Sequence, residues 1–263
     1  MSAKEIEVKG IPRSAAVAFV RTHHYSGKVD PRSQVHLGVF YRGRLEGVMQ
    51  LGPSIDKGKS VGLVRDTSWN GFIELHRMAF SDVLPKYSES RAIGVAMRML
   101  RKKAPHIEWV LSYADGTQCG DGTIYRASGF DLLKITPNKS MWRMPDGEVI
   151  WKALFDAGFG SGTKGENNIK ARYNKTGSET SNSFLKRVGA ECLVGYQLKY
   201  IYFLNRKAKN RLTVPILPFS EIEKMGATMY RGQRPGSIIS DVPDFRLGEG
   251  SANLTSGLEA GGA

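Results

Sequence analysis

Phe72-Ile73-Glu74-Leu75-His76-Arg77-Met78-Ala79-Phe80 opens the stretch on which the fold turns. Apolar and polar residues alternate through most of it, which predicts a strand. Pro85-Lys86-Tyr87-Ser88-Glu89-Ser90 is a polar turn. A helix is predicted from Arg91 to Lys103, because Ile93, Met97, Leu100 and Ala104 recur at i, i+4, i+7 and i+11. Arg91, Arg98, Arg101 and Lys102 lie off that stripe. Ile107 to Tyr113 is a mainly apolar run, as expected of a central strand buried on both faces. A glycine-rich turn follows, then a short helix from Thr123 to Ser128 with Gly129 as its stop. The order strand, loop, helix, strand, loop, helix predicts an α/β (α+β) fold: a mixed, twisted sheet flanked by helices.

Outward from this stretch, Pro12 to Tyr25 reads as a helix capped by Ser14, with Val17, Val20 and His24 on one face. Val35 to Phe40 and Leu45 to Leu51 form a hairpin across Tyr41-Arg42-Gly43-Arg44. Asp131 to Ile135, Ser140 to Arg143 and Tyr196 to Leu204 are further strands, and Ile222 to Tyr230 a last helix. Residues 158–183 are rich in Gly, Asn, Ser, Thr and Lys and read as a mobile insertion. Residues 246–263 read as a disordered tail, leaving 1–245 as a single domain.

The net charge of +13 points to a polyanionic partner, nucleic acid ahead of an anionic membrane. Cys119 and Cys192 are the only cysteines. With no apolar signal region in Met1 to Gly10, they read as reduced thiols in a cytoplasm. No run approaches the roughly 20 apolar residues that span a bilayer, so no membrane partner is expected.

Several residues carry candidate chemistry. Glu74 and His76 alternate, so both face one side of their strand among apolar neighbours, as a titratable pair on a cleft wall would. The plainer alternative is a solvated strand face. Ser88-Glu89-Ser90-Arg91 opens a helix, where free amides and the helix dipole suit a phosphate and Arg91 adds a charged contact; an ordinary serine-capped helix is the alternative. Asp115 to Asp121 follows the central strand at its C-terminal end, where ligands collect in α/β sheets. One Cys119 between Asp115 and Asp121 is a weak metal signature, and no metal is assigned. Of His23 and His24, one is expected to be exposed and the other to point into the cleft, where His24 and Tyr25 suit hydrogen bonding or stacking to a base; a satisfied core histidine is the alternative. Lys164, Lys170, Arg172 and Lys175, with Arg206, Lys207, Lys209 and Arg211, are two basic clusters suited to phosphate contacts; a solvated charged face is the alternative.

Gly122-Thr123-Ile124-Tyr125-Arg126-Ala127-Ser128-Gly129-Phe130, a helix ending in Tyr-x-x-x-Gly-Phe after a buried strand, resembles the acyl-CoA-dependent acetyltransferase superfamily (GNAT). The hairpin from Gly38 to Val48 resembles its second and third strands. The likeness covers residues 12–145 and 196–204. Two longer phrases, Gly71 to Phe80 and Ser112-Tyr-Ala-Asp-Gly-Thr-Gln-Cys-Gly-Asp-Gly-Thr123, resemble the Mom family of bacteriophage DNA-modification proteins. That resemblance implies conversion of adenine in duplex DNA to a carbamoylmethyl derivative, which protects phage DNA from restriction in the host cytoplasm. It also implies an acyl or glycyl donor, a coenzyme A thioester or an aminoacyl-tRNA. A glycyl amide of the adenine amine is an isomer of the carbamoylmethyl product, so acyl transfer followed by rearrangement needs no redox step. By the same resemblance Tyr125 protonates the leaving group, with a helix tyrosine packed beside Phe130 as the alternative, and Glu74, paired with His76, serves as base; Asp115, by its place at the end of the central strand, positions the base, with a tight glycine turn as the alternative. Arg77, Met78, Ser88, Ser90, Arg91 and Ser112 hold the donor. The superfamily's pyrophosphate turn carries glycines, whereas none lies between Leu84 and Ile93 here. A conventional N-acetyltransferase and a non-catalytic DNA-binding protein on the same fold are the other functions this sequence admits.

Overall fold

A computed structural model describes residues 2–116, 122–156 and 169–226. The chain enters through strand β1 (Glu7–Gly10) and helix α1 (Arg13–His23). Pro12, not Ser14, stands at the start of α1, and no side chain caps it; Ser14 lies inside the first turn. Proline tolerates this place because the first amides of a helix have no partner anyway. Strands β2 (Val35–Tyr41) and β3 (Arg44–Gly52) form the expected hairpin. Its two turn residues, Arg42 and Gly43, both have positive φ (50° and 79°), the backbone that matches the twist of the flanking strands. Helix α2 (Lys57–Val61) precedes β4 (Phe72–Phe80), α3 (Ser88–Lys103), β5 (Trp109–Asp115), α4 (Thr123–Ala127) and β6 (Asp131–Arg143). The chain then forms β7 (Val149–Trp151), α5 (Lys152–Asp156), α6 (Ile169–Arg172), α7 (Ser181–Arg187), β8 (Glu191–Phe203) and α8 (Ser220–Lys224).

The eight strands form one mixed sheet in the order β1-β2-β3-β4-β5-β8-β6-β7. Every pair is antiparallel except β4 and β5. Those two pair only from Phe72–Trp109 to Leu75–Ser112. Beyond that point β4 runs on to Phe80 and β5 to Asp115, leaving a seam in the middle of the sheet. Ser112, fully buried, closes the seam's base by donating its hydroxyl to the Leu75 carbonyl at 3.3 Å.

Both faces are covered. The stripe Ile93, Met97, Leu100 and Ala104 of α3 packs with Ile73, Leu75, Val110, Tyr125 and Tyr200 in the main core. On the other face α1 lays Ala16, Phe19 and Val20 against Val48 and Ala79. Further along that face Val64 and Ala208 cover Phe72, Trp109, Leu111 and Ile201. Gly129 ends the α4 turn at φ 83° as expected.

Other expectations change as well. The described part of 158–183 holds α6 and the start of α7, and its Ile169 joins Phe184 and Leu185, just beyond the segment, against Met144, Ile150 and Phe155 in a satellite core. One apolar anchor in the polar segment suffices, because Phe184, Leu185 and the surface made by Met144, Ile150 and Phe155 supply the rest. Strands expected at 131–135 and 140–143 are one continuous strand whose ladder slips at two points, between Leu132 and Lys134 and between Asn138 and Met141. The last helix covers 220–224; residues 227–230, like the tail at 246–263, lie outside the described residues.

Candidate active site

The seam between β4 and β5 has two unlike walls. One is polar. In the β3–β4 ladder Gln50 faces Arg77 and Leu51 faces Leu75, so His76 is an extra residue, a β-bulge. The bulge re-aims the strand: Leu75 and Met78, three apart, both join the core under α3, while Glu74, His76 and Arg77 all engage the connections on the other side. Glu74 and His76 thus share a side as their alternation predicts, and Met78 lies opposite them.

His76 is buried. Its Nε2 lies 3.1 Å from the Pro53 carbonyl and its Nδ1 2.9 Å from Ser33 Oγ. A carbonyl only accepts, so Nε2 carries the proton and Ser33 donates to Nδ1. Burial lowers the His76 pKa to about 4, even though Asp30 opposes the shift from 3.9 Å. His76 is therefore neutral at pH 7. Asp30 is clamped by Arg32 through both side-chain oxygens, one at 3.0 Å from Nε. Burial pushes the Asp30 carboxyl up, but the Arg32 hydrogen bonds and the neighbouring His76 outweigh it and hold it below the usual range. Glu74 goes the other way: burial raises it, against the lowering pull of Ser54 and Arg32. Its Oε2 is buried without a hydrogen-bond partner among the described residues. A carboxyl raised in this way is suited to take up a proton.

His24 lies on the same side, with its pKa lowered to about 3 by burial and by Arg77. It bonds Ser26 Oγ through Nδ1 at 2.8 Å and tilts against the half-exposed ring of Tyr25, centroids 4.2 Å apart. Arg77 donates to the Lys28 carbonyl at 3.0 Å. Lys28 in turn reaches Glu148 Oε1 at 3.0 Å, tying this wall to the satellite lobe.

The other wall is aromatic. Tyr125 is buried, its ring centroid 5.0 Å from that of Tyr200 and 5.2 Å from that of Phe130. Gly122, at φ 72°, lets the chain pass beneath it: a Cβ there would stand 2.8 Å from both the Tyr125 and Tyr200 rings. Asp115, half-buried, ends β5 opposite Gln197. Cys119 and Asp121 lie outside the described residues.

A groove of about 920 Å³ runs along the start of α3, between it and the N-terminal residues. Lys4, Lys86, Arg91 and Arg98 line it, with Ser90 and Tyr87. Tyr87, not a serine, precedes α3, at φ 69°. Ser90 donates to the Tyr87 carbonyl at 3.1 Å. Ser88 is buried with its hydroxyl unpartnered among the described residues.

The two basic clusters are largely committed. Arg172 pairs with Asp146 and Glu148, Lys209 with Asp131, and Arg211 with Glu108. Lys170 sits 4.8 Å over the Phe155 ring, and Lys175 donates to the Glu179 carbonyl at 2.5 Å. Arg206 and Lys207 meet no carboxylate among the described residues. Lys164 lies outside them. Pairing consumes the charge a phosphate would use, which sequence clustering does not reveal.

Asp30, Arg32, Ser33, Tyr113 and Lys199 are site neighbours the sequence did not single out. Asp30-Pro-Arg-Ser33 carries no motif, and Tyr113 and Lys199 become neighbours only through the β5–β8 register.

A parallel β4–β5 pair opening into a seam, inside an otherwise antiparallel sheet with α3 starting beside it, defines a GNAT-like fold. Solved structures similar to the chain include the Bacillus subtilis acetyltransferase in complex with CoA, 10% identical, with a TM-score of 0.40, covering 76% of this chain and 97% of that one. Another is FeeM, an N-acyl amino acid synthase from uncultured soil microbes, 13% identical, with a TM-score of 0.40, covering 79% and 95%. The chain belongs to the Mom protein family, whose model matches residues 5–221. It is 34% identical over 214 residues to the methylcarbamoylase mom of Escherichia phage Mu, covering 81% of each. Among the described residues no helix is long and apolar enough to cross a membrane.

Proposed function

We propose that the chain modifies the exocyclic amine of adenine in duplex DNA, ending in a carbamoylmethyl group, and so shields phage DNA from restriction in the host cytoplasm. The observation that carries this reading is the pairing of walls at the seam: Glu74, buried and raised in pKa, on one side, and Tyr125 on the other. The methylcarbamoylase relative supports the choice of transferred group. The four cations of the α3 groove, against the single carboxylate of Asp82, fit a polyanionic donor, coenzyme A thioester or aminoacyl-tRNA. When bound, that donor supplies an activated acyl carbon and its leaving group. Glu74 takes the proton that the attacking amine releases. Tyr125 gives its hydroxyl proton to the departing atom. His76, neutral and fixed by Pro53 and Ser33, holds the bulge that aims Glu74. Arg91 and Ser90 hold the donor's phosphates, while Ser112 and Met78 shape the seam. Asp115 orients the acceptor. His24 and Tyr25 receive a base flipped from the stack, and Arg206 and Lys207 contact the DNA backbone.

Mass analysis of nucleosides from cells expressing the chain tests this directly. The expected result is a deoxyadenosine heavier by one carbamoylmethyl group. Unmodified nucleosides with acetylated amines elsewhere overturn it. Isotopically labelled donors incubated with purified protein and DNA then identify the donor.

A further inference from the structure

We propose that Glu74, Tyr113 and Lys199 form the edge of the site that reads the acceptor, a carboxylate beside two donors that selects an amino base over a keto base. This rests on the reading above that the acceptor is a base in DNA.

Tyr113 on β5 and Lys199 on β8 are ladder partners, with the ammonium 5.4 Å from the ring centroid. Glu74 stands on β4, on the other side of β5, and its charge acts on both of them. Two buried serines close the floor. Ser54 bonds Glu74, Ser60 bonds Tyr113, and their hydroxyls lie 3.4 Å apart. The side chains therefore form one cluster, on the polar side of the seam and away from Tyr125. Burial raises Tyr113, helped by Glu74, so its hydroxyl keeps its proton and donates. Burial lowers Lys199, helped by Lys134, against the opposing pull of Glu74 and Asp56. Within this cluster one group is unsatisfied: Glu74 Oε2, buried and aimed at no partner among the described residues. Leaving such an oxygen dry is costly unless something donates to it.

The pattern acceptor-then-donor has a matching ligand. Adenine presents an amine donor beside a ring-nitrogen acceptor, and cytosine does the same. Guanine and thymine present a carbonyl acceptor beside a ring N–H donor, so each would set its carbonyl against the Glu74 carboxylate and its N–H against the Tyr113 and Lys199 donors. A flipped base is read along this edge. The backbone contacts of Arg206 and Lys207 carry no such information.

The test uses the full chain and four duplexes, each with one base placed opposite an abasic gap, so that extruding it costs little. Fluorescence anisotropy gives the Kd for adenine, cytosine, guanine and thymine probes. The expected result is adenine and cytosine bound about tenfold tighter than guanine and thymine. That ratio should fall towards one in Lys199→Met and in Glu74→Gln. Tyr113→Phe keeps the ring's packing and gives a readable ratio if Lys199→Met misfolds; a reduced preference is expected there too. Discrimination that survives in all folded variants, or equal binding of all four probes by the parent chain, overturns the inference while leaving DNA as the substrate. If the parent chain binds none of the duplexes, the DNA reading itself fails and the inference with it.

Discussion

The two walls of the seam are built from opposite materials. The Tyr125 wall is held by ring packing: Tyr125, Tyr200 and Phe130 touch one another, and Gly122 makes room. The Glu74 wall is held by hydrogen bonds among polar groups, the buried Asp30, Ser33 and His76 with the half-buried Arg32. Packing is short-ranged and indifferent to pH, whereas a dehydrated polar network changes strength with every proton it gains. The two side chains therefore sit in different surroundings, rings about Tyr125 and buried polar groups about Glu74.

The largest effect should come from removing either proton-transfer group. Glu74→Gln and Tyr125→Phe each keep shape and should each reduce product formation roughly a hundred- to ten-thousand-fold, with the far-ultraviolet circular dichroism unchanged. Parent-like rates in both would break the assignment of acid and base to opposite walls. Next in size is the donor groove. Lys86→Ala with Arg91→Ala should raise the half-saturating donor concentration about tenfold or more with a smaller change in turnover, since charged contacts are lost in ground and transition state alike. An unchanged value would move the donor out of the groove.

The walls should also fail differently. Gly122→Ala forces a Cβ into two rings from a left-handed backbone, so it should destabilise the protein by roughly 1–3 kcal/mol in urea titration, equally at all pH values. An unaltered midpoint would mean that the aromatic wall yields easily. On the polar wall, His76 has its pKa lowered from 6.5 to about 4. The unfolded chain therefore binds more protons between those values, and stability is present above pH 6.5 and lost as pH falls towards 4, by on the order of 3 kcal/mol. His76→Gln should flatten that slope. Glu74, raised instead, has the opposite sign: its contribution is lost as pH rises from the ordinary carboxyl value through the raised one. Glu74→Gln should consequently leave the protein at least as stable at pH 7 while abolishing chemistry, the smallest of these effects. A clear loss of stability there would mean Glu74 is a structural ligand of the network.

Much of the frame was legible because it depends on local periodicity. The α3 stripe, the β2–β3 hairpin and the Gly129 stop follow from residue spacing alone. The helical lobe was missed because its buried anchors, Ile169, Phe184 and Leu185, lie in two four- to seven-residue helices, too short for a period to emerge. The basic clusters were legible as charge, but their ion pairs were not: Arg211 meets Glu108 across 103 positions of chain. The candidate site was half visible. Glu74, His76 and Tyr125 stood out by type and motif, while Asp30 and Ser33 reach His76 only through the tertiary fold.

By itself the sequence determined the order of elements from the β2–β3 hairpin to α4, which faces of them are apolar and which long phrases place the chain in its family, because each is written in neighbouring residues. Tertiary structure alone decided that His76 is a bulge, that Glu74 is dry enough to be raised, that Arg172 and Arg211 are already paired, and that Tyr113 and Lys199 meet. Those properties depend on burial and on approach between distant segments, and a proton's free energy responds to that surrounding medium rather than to the residue's name.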